Sequence, residues 1–534
     1  MTLPGTLNRT STEPWTVGEI PSRWASRDPG LVALRSKSGT ERTYAELDDR
    51  TDRLANGLLA LGLRPGDRVA VWMTDGFACV EVYLAAAKAG LVVSPLNSRL
   101  TSHEAAYLLS DSDPRVIVWT ADLDDTVGQL ASDAVADRFK IRVTGGSDCR
   151  LEELIARSPG GPTGVAIDPD STFIIGYTSG TTGRPKGAEL THRSILAVAP
   201  MNATSYRLTG YPRMALTGSM SFVAVVPAHV LCTLRMGGCL TIMGRWTTDD
   251  LLEVLERDRI TFTYIPSPLL SEATEALAGR PEAWTNLRSV LHSASRARPD
   301  QLHALVQVIG TRLVEGWGMT ENSGGLMTAM LGHEYIGAGP DDPVFTSVGR
   351  PALDIAVRVL DPRGAELPHD GVSVGKLAFI APSLMKGYRN RSADNAEAMQ
   401  DGWFRSGDLG SIDAEGYLYV SDRRTDLIVS GGANVYPGEI EDCIASIPGI
   451  RDVAVVGLAH ERWGQTVVAV VVPDSGLAPG ALTEDVIIDH CRARLAGYKK
   501  PTRVIFVESL PRTASLKVSR VGVRSMAQTW TGVV

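Results

Sequence analysis

A β-prone run, Thr172-Phe173-Ile174-Ile175, leads into Tyr177-Thr178-Ser179-Gly180-Thr181-Thr182-Gly183-Arg184-Pro185-Lys186-Gly187, and this junction constrains the chain more than any other stretch. Its glycines let the backbone turn tightly and turn N–H groups outward. The hydroxyls add further donors, and Lys186 adds positive charge. A polyphosphate needs that combination. The loop is not of the Walker type, in which Lys directly follows the second Gly of GxxxxGK, because Arg184 and Pro185 intervene. Such composition alone often means a surface turn; the whole ordered run behind a strand argues for a phosphate loop.

Around this loop, helices alternate with short apolar strands. After Thr43-Tyr44-Ala45-Glu46, the residues Leu47, Leu54, Leu58, Leu59 and Leu61 recur at helical spacing. The turn Pro65-Gly66-Asp67 leads into a short buried strand, Arg68–Trp72. A second helix, Phe77–Ala89, stops at Gly90 and is followed by a strand, Leu91–Ser94. Such alternation implies parallel sheets with helices on their faces.

The pattern changes after the polar, glycine-ended stretch from Asp422 to Gly432. A helix is predicted from about Pro437, with Glu439 and Glu441 in its first turn. Strands follow at Val453–Val456 and Val467–Val472, then a helix from about Glu484 to Leu495 capped by Thr483. The expected organisation is a large α/β N-terminal domain over 1–421, a hinge at 422–426 and a small, mobile α+β C-terminal domain over 427–534. The tail after Arg520 carries no clear pattern.

A chain of 534 residues exceeds one ordinary core, in keeping with two domains. Its net charge of −8 argues against a general nucleic-acid binder, which needs a basic surface. It leaves room for anionic ligands held by a few local cations and N–H groups. Cys79, Cys149, Cys232, Cys239, Cys443 and Cys491 are scattered, form no CxxC pair and read as buried free thiols in a reducing cytosol. Neither a signal peptide nor an apolar run of about 20 residues is evident. The expectation is a cytoplasmic protein, monomer or homodimer, outside the membrane.

Four further blocks follow the loop in order: Glu315-Gly316-Trp317-Gly318-Met319-Thr320-Glu321-Asn322; Gly402-Trp403-Phe404-Arg405-Ser406-Gly407-Asp408-Leu409-Gly410; Asp422-Arg423-Arg424-Thr425-Asp426 running on through Ser430-Gly431-Gly432; and Leu510-Pro511-Arg512-Thr513-Ala514-Ser515-Leu516-Lys517. With the loop, they make the sequence resemble the adenylate-forming superfamily of acyl- and aryl-CoA synthetases, peptide-synthetase adenylation domains and beetle luciferases. The resemblance runs from about Thr43 to Arg520.

The resemblance implies ATP, Mg²⁺ and CoA as the small molecules used, with a carboxylic acid as the substrate. ATP or AMP would be bound by Thr178, Ser179, Gly180, Thr181, Thr182, Gly183 and Lys186 of the loop, and by Gly316, Trp317, Gly318, Met319 and Thr320. Glu321 would hold Mg²⁺, for which a carboxylate is the suitable hard ligand. Asp408 would accept from the ribose hydroxyls, and Arg423 would contact ribose and phosphate. Lys517 would lie between the acid carboxylate and the α-phosphate, where a cation offsets the repulsion of two anions. Thr181, Lys186, Glu321 and Lys517 would carry the catalysis. Ser430, Gly431 and Gly432 would lie along the pantetheine arm of CoA once the small domain turns about Thr425. Lys499 and Lys500 suggest contacts to the CoA phosphates, or simply a solvated pair.

The acyl pocket is expected at Phe222 and Val223, with Ser293 and Ala294 on the facing strand. Peptide-synthetase domains carry Asp where this chain has Val223, and a buried, unpaired ammonium is costly there. An apolar acid, fatty or aromatic, is therefore favoured over an α-amino acid. His229 and His292 read as structural. Beyond Trp317 for the usual Tyr and Ser293 for a frequent Gly, two departures from the family bear on the mechanism: Thr425, where Asp or Lys is usual, and Leu516, where Gly precedes the lysine. If that glycine takes a positive φ, Leu516 strains or redirects the loop. The leading reading is an acid–CoA ligase. An amide synthetase passing the adenylate to an amine is the alternative, and a non-catalytic nucleotide binder or a luciferase-like oxygenase stands further off.

Overall fold

The computed structural model describes residues 15–130, 139–143, 150–178, 185–293, 297–423, 426, 428–430, 433–435, 437–460, 464–476, 482–495, 497, 499–513 and 517–530. The N-terminal elements follow the sequence pattern closely. The helix Tyr44–Ala60 starts in a capping box, Thr43 accepting from Glu46 N while Glu46 accepts from Thr43 N. Reciprocal caps of this kind stabilise a helix start by about 1 kcal/mol. Leu47, Leu54 and Leu58 are buried on its inner face, each contributing on the order of 2 kcal/mol. The strand Arg68–Trp72 and the helix Phe77–Lys88 stand where the turn and periodicity put them, and Gly90 takes φ 68° just beyond the helix.

Two large sheets dominate. One runs, edge to edge, through Gly387–Tyr388, Lys186–Thr191, Thr172–Thr178, Val92–Pro95, Arg68–Trp72, Val116–Thr120 and Phe139–Val143. It is parallel except at the edge where Thr172–Thr178, Lys186–Thr191 and Gly387–Tyr388 pair antiparallel. The second includes Leu313–Gly318, Ser289–Ser293, Phe262–Tyr264 and Arg213–Leu216 as parallel neighbours, with Leu326–Leu331 antiparallel beside Leu313–Gly318. A single apolar core spans these two sheets, joining Phe173 and Leu190 to Met214 and Leu291.

A third, antiparallel sheet of Ala356–Leu360, Gly375–Ile380, Met399–Gln400, Trp403–Ile412 and Leu418–Arg423 is not foreshadowed by the alternating pattern. The large part is thus a mixed α/β assembly. The smaller C-terminal part is α+β: its long hairpin Ile450–His460 and Gly464–Pro473 carries Ile428–Ser430 on one side and Arg503–Phe506 in parallel. The helices Pro437–Ala445 and Glu484–Arg494 begin as expected, with Thr483 accepting from Val486 N. The tail, which carries no clear sequence pattern, forms a helix Arg520–Thr529 that buries Val523 and Ala527. Few of its residues face inward and the apolar Val521 faces solvent, so the periodic signal is weak. No helix among the described residues is long and apolar enough to cross a membrane. The described cysteines are free thiols, all buried except the half-buried Cys443.

Candidate active site

The two feet of the expected phosphate loop, Thr178 and Lys186, are fixed, while 179–184 lie outside the described residues. Thr178 and Lys186 are register partners in the antiparallel pair. Tyr177 donates to Asp111 Oδ2 at 2.8 Å, and the Pro185 carbonyl accepts from Tyr107 OH at 3.1 Å. Both partners belong to the helix Ser102–Ser112, so one helix holds both ends of the loop. Burial, with the Asp111 carboxylate second, pushes the Tyr177 phenol well up, so it stays a donor. Ser179, Gly180, Thr181, Thr182 and Gly183 are outside the described residues.

Lys186 is half-buried. Its ammonium pairs with Asp394 Oδ1 and stands 5.4 Å from the Tyr388 ring centroid. Tyr388 in turn donates to Glu321 Oε1 at 2.8 Å, while Met385 N donates to the Glu321 carbonyl at 2.7 Å. Lys186 and Glu321, far apart in sequence, are therefore joined through one aromatic ring. Glu321 Oε2 has no hydrogen-bond partner among the described residues.

The turn Thr320–Asn322 that presents Glu321 is built from behind. Asn322 is fully buried, donates to the carbonyls of Gly325 and Leu326, and accepts from Ser383 Oγ at 2.6 Å. Gly324, at φ 71°, lies so close to Ala224 that an added Cβ would stand 2.4 Å from its Cα. That approach sets the Glu321 turn against the segment carrying Phe222 and Val223.

Gly176 completes the junction. A Cβ there would meet Val223 Cγ1 at 2.7 Å and Thr320 Cγ2 at 2.8 Å. Phe222 and Ser293 are half-buried, and Val223 is buried. The Ser293 carbonyl accepts from Tyr264 OH at 3.4 Å. Asp75 shapes the preceding turn, accepting from Met220 N at 2.7 Å and Ser219 Oγ at 3.2 Å. Burial raises its carboxyl above the usual range, opposed by those two donors. The π-helical turn Val226–Leu231 follows. Ala294 is outside the described residues.

His292 is a satisfied core residue, its Nδ1 at Glu315 Oε2 and its Nε2 at Ser267 Oγ. His229 is different. Its ring lies among Tyr206, Phe262 and Tyr264, its Nδ1 has no partner among the described residues, and burial lowers its pKa to about 4.

Gly316, Trp317 and Gly318 lie on the strand Leu313–Gly318, with the Trp317 ring 5.4 Å from Phe379, and Met319 precedes the Glu321 turn. Asp408 is buried and is the backbone register partner of Arg423; the Arg423 side chain is not described. Ser430 is buried and pairs with Ala433 and Gly464. Lys517 is exposed, and its carbonyl accepts from Thr513 N at 2.8 Å. Lys499 is paired with Glu439 at 2.6 Å. Thr425, Gly431, Gly432 and Leu516 are outside the described residues. Sequence reasoning missed Tyr388, Asp394, Asp75 and Tyr264, none of which stands in a motif.

A family model described as "AMP-binding enzyme" matches residues 21–389, and "AMP-binding enzyme C-terminal domain" matches residues 439–517. The chain belongs to the AMP-binding enzyme family. This AMP-binding enzyme is 35% identical over 516 residues to a feruloyl-CoA synthase of Amycolatopsis, covering 95% of this chain and 98% of that one. It is 32% identical over 517 residues to a long-chain-fatty-acid–CoA ligase of Mycobacterium tuberculosis, with 95% and 98% covered. Among solved structures it is similar to the amide bond synthetase of Marinactinospora thermotolerans, with TM-score 0.83, 25% identity, and 95% and 99% of the chains covered. Thr320 of the Thr320–Asn322 turn and Val223 of the Phe222–Val223 segment meet beside Gly176.

Proposed function

We propose that this AMP-binding enzyme is an ATP-dependent carboxylic acid–CoA ligase, acting in the cytoplasm on an apolar fatty or aromatic acid. The observation that carries the reading is the crowding at Gly176: Val223, assigned to the acid pocket, and Thr320, assigned to the nucleotide turn, both close on the space that a Cβ there would fill. An acid lying against Val223 would present its carboxylate to phosphate lying against Thr320. The curated relatives, both CoA ligases, support the acceptor.

The carboxylate is already a nucleophile, so no side-chain base is required. Its oxygen attacks the α-phosphorus of ATP, forming acyl-AMP and releasing pyrophosphate. Lys186, Thr178 and the loop residues Ser179–Gly183 would hold the triphosphate. Lys517 would stand between the two anions during attack, so the rate comes from positioning and charge neutralisation. Asp408 would accept from ribose, and Arg423 would reach ribose and phosphate. The hard Glu321 carboxylate, with Oε2 unpartnered among the described residues, fits Mg²⁺, which when bound neutralises charge on the phosphate oxygens. In the second half, a turn of residues 427–534 about Thr425 would withdraw Lys517 and bring Ser430, Gly431 and Gly432 along the pantetheine arm. The CoA thiol then attacks the acyl carbon, and AMP leaves.

The amide bond synthetase among the structural relatives supports a second reading, in which an amine takes the acyl group. The test is pyrophosphate release from Mg·ATP with a panel of aliphatic, aromatic and amino acids, with and without CoA. Acid-dependent release with thioester formation supports the ligase. Release that yields an amide with added amines, and no thioester with CoA, transfers the proposal to the synthetase. Silence across the panel refutes both.

A further inference from the structure

The half-buried ammonium of Lys186 is neutralised by a residue that no motif contains. Asp394 lies in the first turn of the helix Ser392–Ala398, and its Oδ1 pairs with Lys186 Nζ. The side chains are 16% and 29% exposed, so the pair is partly shielded from solvent and screened less than a surface pair. Its geometry is built rather than incidental. Asn395, the next residue, grips Tyr388 at both ends of its backbone, accepting from Tyr388 N at 2.6 Å and donating to Tyr388 O at 2.8 Å. Tyr388 belongs to the strand Gly387–Tyr388, which is paired with Lys186–Thr191. The lysine and its carboxylate are thus tied to one sheet edge from two directions.

We infer that Asp394 is the resting counter-ion of Lys186, a positioning residue that holds the lysine at the mouth of the loop and competes with nucleotide phosphates for it. The inference rests on the phosphate role proposed for Lys186. A fixed carboxylate beside that ammonium satisfies it while the site is empty, which an isolated half-buried cation would lack. When triphosphate arrives, the same carboxylate repels it and shares its cation. Asp394 therefore weakens nucleotide binding and favours the departure of pyrophosphate, the more so at low ionic strength.

The experiment uses the full-length enzyme and its Asp394→Asn, Asp394→Glu, Lys186→Ala and Lys186→Ala/Asp394→Asn variants. ATP affinity is measured by calorimetry, and pyrophosphate is titrated as an inhibitor of the overall reaction. Asp394→Asn is expected to bind ATP roughly threefold to tenfold more tightly, and to be inhibited by pyrophosphate at correspondingly lower concentration. Asp394→Glu should return both values towards wild type, and the tightening should shrink in the Lys186→Ala background. A merely structural aspartate would loosen ATP binding when replaced. Weaker or unchanged binding in Asp394→Asn, or equal tightening with and without Lys186, overturns the counter-ion role while leaving the phosphate role of Lys186 in place. ATP affinity unchanged in Lys186→Ala alone overturns both.

Discussion

Tyr388 donates its phenolic hydrogen bond to Oε1 of Glu321 at 2.8 Å while its ring faces the Lys186 ammonium at 5.4 Å. One side chain therefore orients the proposed cation ligand and lines the proposed phosphate cation. Removing the hydroxyl in Tyr388→Phe keeps the ring and frees the carboxylate to rotate. A hydrogen bond to a charged acceptor contributes about 1.5–3 kcal/mol. The expected result is a higher Mg²⁺ requirement for pyrophosphate release, by roughly tenfold, with little change in the KM of the acid. An unchanged Mg²⁺ titration would remove Tyr388 from the site.

Glu321→Gln keeps the size of the side chain and the hydrogen bond from Tyr388 but removes the charge. If Glu321 holds Mg²⁺, adenylation should fall by about a hundredfold and recover in part at high Mg²⁺. The melting temperature should change little. Equal activity at ordinary Mg²⁺ would mean that the cation is held elsewhere.

Much of this arrangement is legible in the amino-acid sequence itself. Lys186 and the Thr320–Glu321 pair stand in contiguous blocks, where residue order alone carries the signal. The helix Tyr44–Ala60 and the strand Arg68–Trp72 are legible because periodicity and turn chemistry agree there. Asp394 and Tyr388 are not, because each meets its partner from a distant part of the chain. The helix Arg520–Thr529 escapes sequence reading for the opposite reason: its pattern is local but faint, with Val523 and Ala527 buried, Met526 half-buried and the apolar Val521 turned out to solvent.

Substitutions at Lys517 and its neighbour Leu516 test the proposed division into two half-reactions. Lys517→Ala should slow adenylation from ATP by about a hundredfold while sparing thiolysis of supplied acyl-AMP. Equal loss in both halves would contradict its assigned place. Leu516→Gly should alter the adenylation rate if the side chain strains the loop, as a residue replacing a positive-φ glycine would. A rate identical to wild type would leave the strain argument idle.

His192 and His229 are each lowered from 6.5 to about 4, burial being the main cause in both. Between those values the unfolded chain takes up protons that the folded chain refuses. Stability is thus complete above pH 6.5 and is lost as pH falls towards 4, by about 2 kcal/mol per histidine at pH 5. The melting temperature measured at pH 7 and pH 5 should drop, and His229→Phe should make that drop smaller. A drop of the same size in the variant would show that His229 does not contribute.

Gly176 offers the sharpest test of the shared junction. A Cβ at this position would fall 2.7 Å from Val223 Cγ1 and 2.8 Å from Thr320 Cγ2, closer than side chains tolerate. Gly176→Ala must therefore push Val223, Thr320 or the strand itself, at a cost of about 1–3 kcal/mol for overpacking. With Val223 on the proposed acid side and Thr320 on the proposed nucleotide side, the displacement should register on both substrates. The expected outcome is a folded protein, by circular dichroism, whose kcat/KM falls at least about tenfold for the acid and for ATP alike. Shortening Val223 to Ala in the same chain should relieve part of both defects, because it removes the nearer of the two clashing groups. If ATP were affected and the acid not, or the reverse, the two pockets would not share this wall, and the reading that places carboxylate and α-phosphate on either side of it would fall.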